Sequence, residues 1–349
     1  MGTWKYSLVA ILIIYLAGDI SEDIYSFHFN MAGSVKVLSD NFPCRNGRVV
    51  VLINNYNYGR FLRECLKSVL NQEYKPDFVI FVDDGSTDDS VEIVNDFAFN
   101  HPELEVISKK NGGQLSSFNA AAGLIYEDDY VFFLDSDDIW PSDYISNVVN
   151  SWNAATDMVL VECDRFRDCI DEKLDSCVIS NQEPVFIPLS SAVTRRTHCW
   201  IGSPTSAVSV TGRLFNMVFP YLDESNWRTR ADDVIVFSSS IMGASKLYVP
   251  SLAISYRIHG GNNFYGNAAA KKDPSRPAAI DQLFREICDR ACVSRNSGLL
   301  ETLREIRCLP DELFGRFCIP DRRKLINGFF VRLFGYGGRI VRKLFSWQL

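Results

Sequence analysis

An α/β fold on a doubly wound, mostly parallel sheet is what this sequence predicts, and three observations carry it. Short apolar runs alternate with helical patterns from Val49 onward. The runs have strand length and are rich in Val, Ile and Phe, and polar residues gather immediately behind four of them. Strands separated by helices imply right-handed crossovers, which set them side by side in parallel.

The predicted strands are residues 49–53, 78–82, 104–108, 130–134 and 158–161. Between the first two, Phe61, Leu62, Cys65, Leu66, Val69 and Leu70 repeat at helical spacing. Val91, Ile93, Val94 and Phe97 predict a second helix, and residues 118–125 a third. Asn54, Asn55, Tyr56 and Asn57 follow strand one, and Asp83 and Asp84 follow strand two. Asn111, Gly112, Gly113 and Gln114 follow strand three, and Asp135, Asp137 and Asp138 follow strand four. All of them therefore sit at the carboxyl ends of strands, where helix N-termini and loop amides converge on ligands.

A chain of 349 residues exceeds one such domain, because single cores commonly stop growing near about 250–300 residues. The predicted organisation is an N-terminal extension over residues 1–46, an α/β domain over 47–265 and a helical C-terminal region over 266–349. An apolar content of 47 % with 23 % charged residues argues against disorder and against a polytopic membrane protein. A net charge of −7 argues against a nucleic-acid partner, and acidity beside a phosphorylated ligand calls for a cation between them.

The ten cysteines form no compact framework, which predicts reduced thiols in a cytoplasmic protein. Cys288 and Cys292, one helical turn apart without zinc-type partners, read as buried structural thiols. Residues 8–17 are apolar but fall short of the about 20 that span a bilayer. They suit either the apolar region of a signal peptide or an extension ahead of a start at Met31. Near the other end, Phe329, Phe330, Leu333, Phe334, Ile340, Val341, Leu344 and Phe345 interleave with Arg332, Arg339, Arg342 and Lys343. That pattern suits peripheral contact with the inner face of a membrane and, equally, packing against the enzyme domain.

Two acidic runs carry the chemistry. In the first, Asp83-Asp84-Gly85-Ser86-Thr87-Asp88, helix capping accounts for Ser86, Thr87 or Asp88. It does not account for two adjacent carboxylates, which predicts that one of them faces a donor such as a pyrimidine N–H. The second, Asp135-Ser136-Asp137-Asp138, puts three carboxylates at a buried strand end, costly without a cation to neutralise them. Mg2+ or Mn2+, which take one or two carboxylates plus substrate phosphates, fit that chemistry.

The run Val50-Val51-Leu52-Ile53-Asn54-Asn55-Tyr56-Asn57, the Asp83 to Asp88 run, Asn111-Gly112-Gly113-Gln114 with Phe118-Asn119, and Leu134-Asp135-Ser136-Asp137-Asp138 together resemble glycosyltransferase family 2 in order and spacing. The resemblance implies a GT-A fold, with a Rossmann-like nucleotide half, an acceptor half and here a C-terminal helical appendage. It further implies a nucleoside-diphosphate sugar donor, UDP-linked by default, and an inverting transfer to a glycan or lipid-linked acceptor. By motif position Asn54 and Tyr56 flank the base, Asp84 with Asp83 behind it meets the base ring, and Gln114 and Asp135 complete the nucleotide site. Asp137 and Asp138 hold the metal. Asn54, and Phe118 where many members carry Arg, depart from the pattern, and the second departure removes an expected diphosphate contact.

Arg230-Ala231-Asp232-Asp233-Val234 resembles the acidic motif of the family, whose second carboxylate, here Asp233, is the implied general base. On its residues alone this run reads equally as an acidic helix start. Tyr256-Arg257-Ile258-His259-Gly260-Gly261-Asn262 resembles the closing motif, with His259 approaching the metal or serving structure. Trp200, Ser203 and Asp232 are candidates for the acceptor side. A non-catalytic nucleotide-sugar-binding protein of the same fold stays open. A sugar-nucleotide pyrophosphorylase lacks its basic glycine-rich loop here, and a nicotinamide enzyme lacks its G-x-G-x-x-G.

Overall fold

The computed structural model describes residues 47–167, 173–180, 182–260, 274–314, 316, 317 and 319, all within one compact unit, Cys44–Leu349. The N-terminal apolar segment and the basic amphipathic tail lie outside the described residues.

A nine-stranded sheet runs in the order β3-β2-β1-β4-β8-β5-β9-β7, with β6 paired to β5. Its first half is wholly parallel: β1 (Val49–Asn55), β2 (Phe78–Asp83), β3 (Leu104–Ser108) and β4 (Tyr130–Asp135). Three helices make the crossovers, α1 (Gly59–Leu70), α2 (Ser90–Ala98) and α3 (Gln114–Ala120). The apolar stripe read for α1 is buried in full, and Leu62, Cys65, Leu66 and Val69 pack on Val49, Val51 and Ile53 of β1. Each such side chain contributes roughly 1.5–3 kcal/mol by leaving water, which holds the short helix on the sheet.

Two differences from the sequence reading have physical causes. The third helix starts at Gln114 rather than Phe118, because Gly113 takes a φ of +94° and turns the chain sharply into it. A Cβ on Gly113 would also sit 2.4 Å from the Cα of Arg228, so the loop ahead of the acidic helix crosses directly over this glycine. Cys292 is exposed, and only Cys288 of that pair is buried.

The second half mixes directions. β8 (Val208–Thr211) joins β4 to β5 (Met158–Arg167) by antiparallel pairing, and β9 (Lys246–Ile258) runs parallel to β5. The register of β5 and β9 slips between Val161 and Glu162, leaving Pro250, Ser251 and Leu252 of β9 unmatched. The proline, which cannot donate to a ladder, thus falls in the bulge. Short strands β6 (Lys173–Asp175) and β7 (Val185–Ile187) complete the sheet. The remaining helices are α4 (Tyr144–Ser151), α5 (Ser191–Thr197), α6 (Gly212–Val218), α7 (Ala231–Ile241), α8 (Arg276–Arg290) and α9 (Leu299–Cys308). Among the described residues no helix is long and apolar enough to cross a membrane.

Candidate active site

Register gathers the polar residues. Asn55 lies opposite Asp83 and Asn54 opposite Asp135, so the carboxyl ends of β1, β2 and β4 form one edge. Above it opens a cavity of about 950 Å3, lined on this side by Asn54, Tyr56, Asp84, Gln114, Asp135 and Asp137.

The loops after β1 and β2 are stitched to each other. Asn57 accepts at Oδ1 from the Thr87 and Asp88 amides, Ser86 Oγ accepts from Asn57 N, and Asp88 accepts from Gly59 N and Ser90 N. The polar residues read as caps therefore serve two helix starts at once, since Gly59 opens α1 and Ser90 opens α2. The pair Asp83 and Asp84 needs no outside donor. Asp83 accepts from Asn55 Nδ2 and Ser86 N, and does not reach the cavity. Asp84 accepts from Gly112 N at 2.8 Å, Gly113 N at 2.7 Å and Lys109 Nζ at 2.6 Å, while remaining on the cavity wall. The mutual repulsion inferred from sequence is relieved inside the loop. Asn54 is the residue with spare capacity, because its Oδ1 is buried without a hydrogen-bond partner among the described residues.

Asp135, Asp137 and Asp138 bring one carboxylate oxygen each within 4.8 Å of one another. Burial first, then Asp137, pushes Asp135 up to about 7, and burial with both neighbours pushes Asp138 upward as well. Three such groups cannot all ionise in a buried corner unless a cation joins them, and hard oxygen donors suit Mg2+ or Mn2+. The residues present thus fit a divalent ion. Their openness differs. Asp138 is off the cavity wall and already accepts from Ser206 Oγ at 2.6 Å and Arg257 N at 2.9 Å, whereas Asp135 and Asp137 face the cavity.

His259 reaches this cluster from the far end of β9. Its Nε2 lies 2.9 Å from Asp137 Oδ2, and its ring packs against Tyr58 and Phe61. Arg60 donates to Nδ1 at 3.2 Å, so Nδ1 is the acceptor and Nε2 carries the proton offered to Asp137. Gln114 is a strut more than a reader. Its Nε2 donates to Asp135 Oδ1 at 2.8 Å and its Oε1 accepts from Ala231 N at 2.8 Å, tying the acidic cluster to the start of α7.

The first turn of α7 holds Asp232 and Asp233, which differ in exposure. Asp232 lies on the cavity wall. Asp233 is wholly buried behind it, facing Arg230 at 3.3 Å and the Arg276 guanidinium. Burial, then the Asp232 carboxylate, pushes Asp233 up to about 7 against the pull of the two guanidiniums. Both Asp233 oxygens face guanidiniums, and of the two carboxylates that of Asp232 lines the cavity.

Trp200, Gly202, Ser203, Phe237, Glu162 and Tyr256 line the cavity as well. Ser203 spends its hydroxyl on Val161 O at 2.8 Å, which makes it structural. Trp200 keeps a buried Nε1 without a hydrogen-bond partner among the described residues. Arg165, Arg228, Arg230, Arg276 and Arg316 also line the cavity, and the sequence reading missed all five as site residues. Arg165 lies on β5, Arg228 and Arg230 share the loop before α7, Arg276 opens α8 and Arg316 lies near the end of the described residues, with no shared motif to mark them. Phe118 is core, packed on Phe133 and Phe219, so α3 offers no cation to a diphosphate.

A parallel 3-2-1-4 half-sheet, a carboxylate cluster at its edge and a cavity behind it can be set beside known proteins. The glycosyl transferase family 2 profile matches residues 50–202. An uncharacterised glycosyltransferase of Nostoc sp. (strain PCC 7120) is 31 % identical over 228 residues, covering 65 % of this chain and 69 % of that protein. The chain belongs to glycosyltransferase family 2. Its fold is GT-A. Residues 1–349 of S. aureus TarS, crystallised with UDP-GlcNAc, superpose with a TM-score of 0.54 at 20 % identity, covering 81 % of this chain and 75 % of that one. GalNAc-T7, crystallised with UDP, GalNAc and Mn2+, superposes with a TM-score of 0.53 at 14 % identity, covering 79 % and 59 %.

Proposed function

We propose that this family 2 member is an inverting glycosyltransferase that moves a hexosyl group from a UDP-sugar to an acceptor hydroxyl with the help of Mg2+ or Mn2+. The observation that carries the reading is the Asp135, Asp137 and Asp138 cluster, lying at the edge of a cavity roomy enough for a nucleotide sugar. The presence of UDP-GlcNAc in one structural neighbour, and of UDP with Mn2+ in another, supports the choice of donor and metal.

In this reading Asp135 and Asp137 hold the cation, with His259 and Asp138 orienting them. When bound, the cation neutralises the diphosphate and the charge that grows on it as the sugar departs. Asn54 Oδ1 receives a hydrogen bond from the base or ribose, Tyr56 covers the nucleotide, and Asp84 stiffens the loop that shapes its pocket. Trp200 and Phe237 present apolar surface to a sugar ring. Asp232 takes the proton of the acceptor hydroxyl. In a single displacement the nucleophile enters opposite the leaving group, so its base must meet the acceptor on the far side of the sugar. The position of Asp232 on α7 supports that assignment.

Thermal denaturation with UDP-, GDP- and TDP-sugars, each with and without Mn2+, tests the reading. One UDP-sugar should raise the melting temperature only when Mn2+ is present, because a ligand that binds the folded state alone stabilises it by mass action. Equal shifts in excess chelator would remove the metal from the site.

A further inference from the structure

The cavity takes its lining from two parts of the chain that differ in charge. The loops behind β1 to β4, together with α3, present Asp84, Asp135, Asp137 and neutral residues, and no lysine or arginine. Every arginine of the cavity comes from later in the chain, and four of the five are paired with carboxylates: Arg165 with Asp175, Arg230 and Arg276 with Asp233, and Arg316 with Glu162. Arg228 is the exception. It is exposed, and among the described residues its guanidinium bonds to the neutral Asn111 side chain and pairs with no carboxylate. Building on the transferase reading above, we propose that Arg228 binds the diphosphate of the donor, supplying positive charge that one divalent cation leaves the site short of.

Charge sets the need. A diphosphate brought beside Asp135 and Asp137 adds negative groups to negative groups, and a single Mg2+ or Mn2+ neutralises only part of the sum. Helix α3 cannot supply the remainder, since it presents only Gln114 and Ser117 to the cavity and its Phe118 is core. A guanidinium suits the role, because its planar fork meets two phosphate oxygens at once and stays charged at any working pH.

Main-chain contacts put Arg228 in place. Its carbonyl accepts from Gln114 N at 2.8 Å, and its Cα passes so close to Gly113 that a Cβ there would lie 2.4 Å away. The loop is thus laid across the start of α3 without help from the Arg228 side chain. Gln114 also measures the distance to the metal cluster, because its backbone N meets Arg228 and its Nε2 meets Asp135 Oδ1. An arginine side chain is longer than that of glutamine, so a diphosphate held at Asp135 and Asp137 lies within reach of the guanidinium. Leaving Asn111 exchanges a neutral acceptor for charged oxygens, whereas each of the other four arginines would have to abandon a carboxylate.

The test measures binding of UDP with Mn2+ by calorimetry, and of uridine with Mn2+ by ligand-observed NMR, for wild type, Arg228→Met and Arg228→Lys. Arg228→Met should weaken UDP about 10- to 100-fold, the scale of a charge-assisted contact, and leave uridine within about twofold of wild type. Arg228→Lys should recover part of the loss, since an ammonium keeps the charge and gives up the fork. The melting temperature without ligand should not move, because main-chain contacts hold the loop. Unchanged UDP affinity in Arg228→Met overturns this proposal and leaves the transferase reading standing. Equal losses for UDP and uridine overturn it as well, by placing Arg228 against the base or ribose. A wild type that binds no UDP with Mn2+ sinks both.

Discussion

Each carboxylate of the site is distinguished by what it already bonds to, and that decides what its removal should do. Asp137 faces the cavity and its side chain bonds to His259, so Asp137→Ala should abolish the Mn2+-dependent stabilisation by a UDP-sugar while leaving the fold intact. Calorimetry of UDP with Mn2+ reads this directly, and wild-type affinity in the variant would contradict it. Asp232 and Asp233 should separate cleanly. Asp232→Asn removes a proton acceptor and relieves a like charge, so transfer should fall by roughly 10²–10⁴-fold with melting temperature nearly unchanged. Asp233→Asn removes a carboxylate that burial and Asp232 hold up at about 7, so the variant should gain stability relative to wild type as pH rises from the ordinary carboxylate range towards 7. Urea denaturation of this variant and wild type across that range gives the comparison, and a constant difference in midpoint would refute it. At this scale the sequence was most legible where a motif carried surplus charge, as at Asp135, Asp137 and Asp138. It was silent on the backbone amides of Ser86, Gly112 and Gly113 that bond to Asp83 and Asp84, because those contacts leave no mark in side-chain identity. Which of two adjacent acids faces a cavity depends on the phase of one helical turn, and the Arg230-Ala231-Asp232-Asp233 spelling does not state that phase.

Among the elements, α7 is held in place by a buried cation. Lys246, the first residue of β9, is fully buried and donates to Ile201 O at 2.7 Å, Ser240 Oγ at 2.7 Å and Val236 O at 3.3 Å, linking the acceptor-side segment to the helix that carries Asp232. Close approach at Gly202, where a Cβ would meet the Val236 side chain at 2.4 Å, brings the same two pieces together. Burial pushes Lys246 down from the ordinary 10.5 to about 7. The unfolded chain therefore binds this proton below about 10.5 while the folded chain resists it until about 7, so stability rises with pH across that window and is lost as pH falls through it. Lys246→Met should flatten this part of the stability curve, measured by urea midpoints at pH 7, 8 and 9, and an unchanged slope would show that Lys246 titrates normally. Elements β1, β2 and β4 were legible because each is a nearly continuous apolar run bounded by turn residues, the mark of a parallel strand covered on both faces, while the edge strand β3 was legible from its shorter apolar run despite Glu105. β9 was not, because Pro250 interrupts a run that the bulge tolerates, and β6, β7 and β8 are only three or four residues long.

For the whole molecule, the division of labour follows the sheet. The parallel half delivers the carboxylates of the donor site, and the mixed half with α7 and α8 delivers the rest of the lining, so the cavity exists only where the two halves share β4, β8 and β5. The first half could be read from periodicity and the second could not, since its contacts join residues far apart in the chain: Lys246 to Ile201, Asp233 to Arg276, His259 to Asp137. A single displacement, as proposed, inverts the anomeric carbon, and the stereochemistry of the product is its direct consequence. Proton NMR of the first-formed product, with wild-type protein, Mn2+ and the α-linked UDP-sugar that stabilises it, tests this most directly. A β-configured product, with no reaction in chelator, is the result predicted. An α-configured first product would contradict a single displacement at this site.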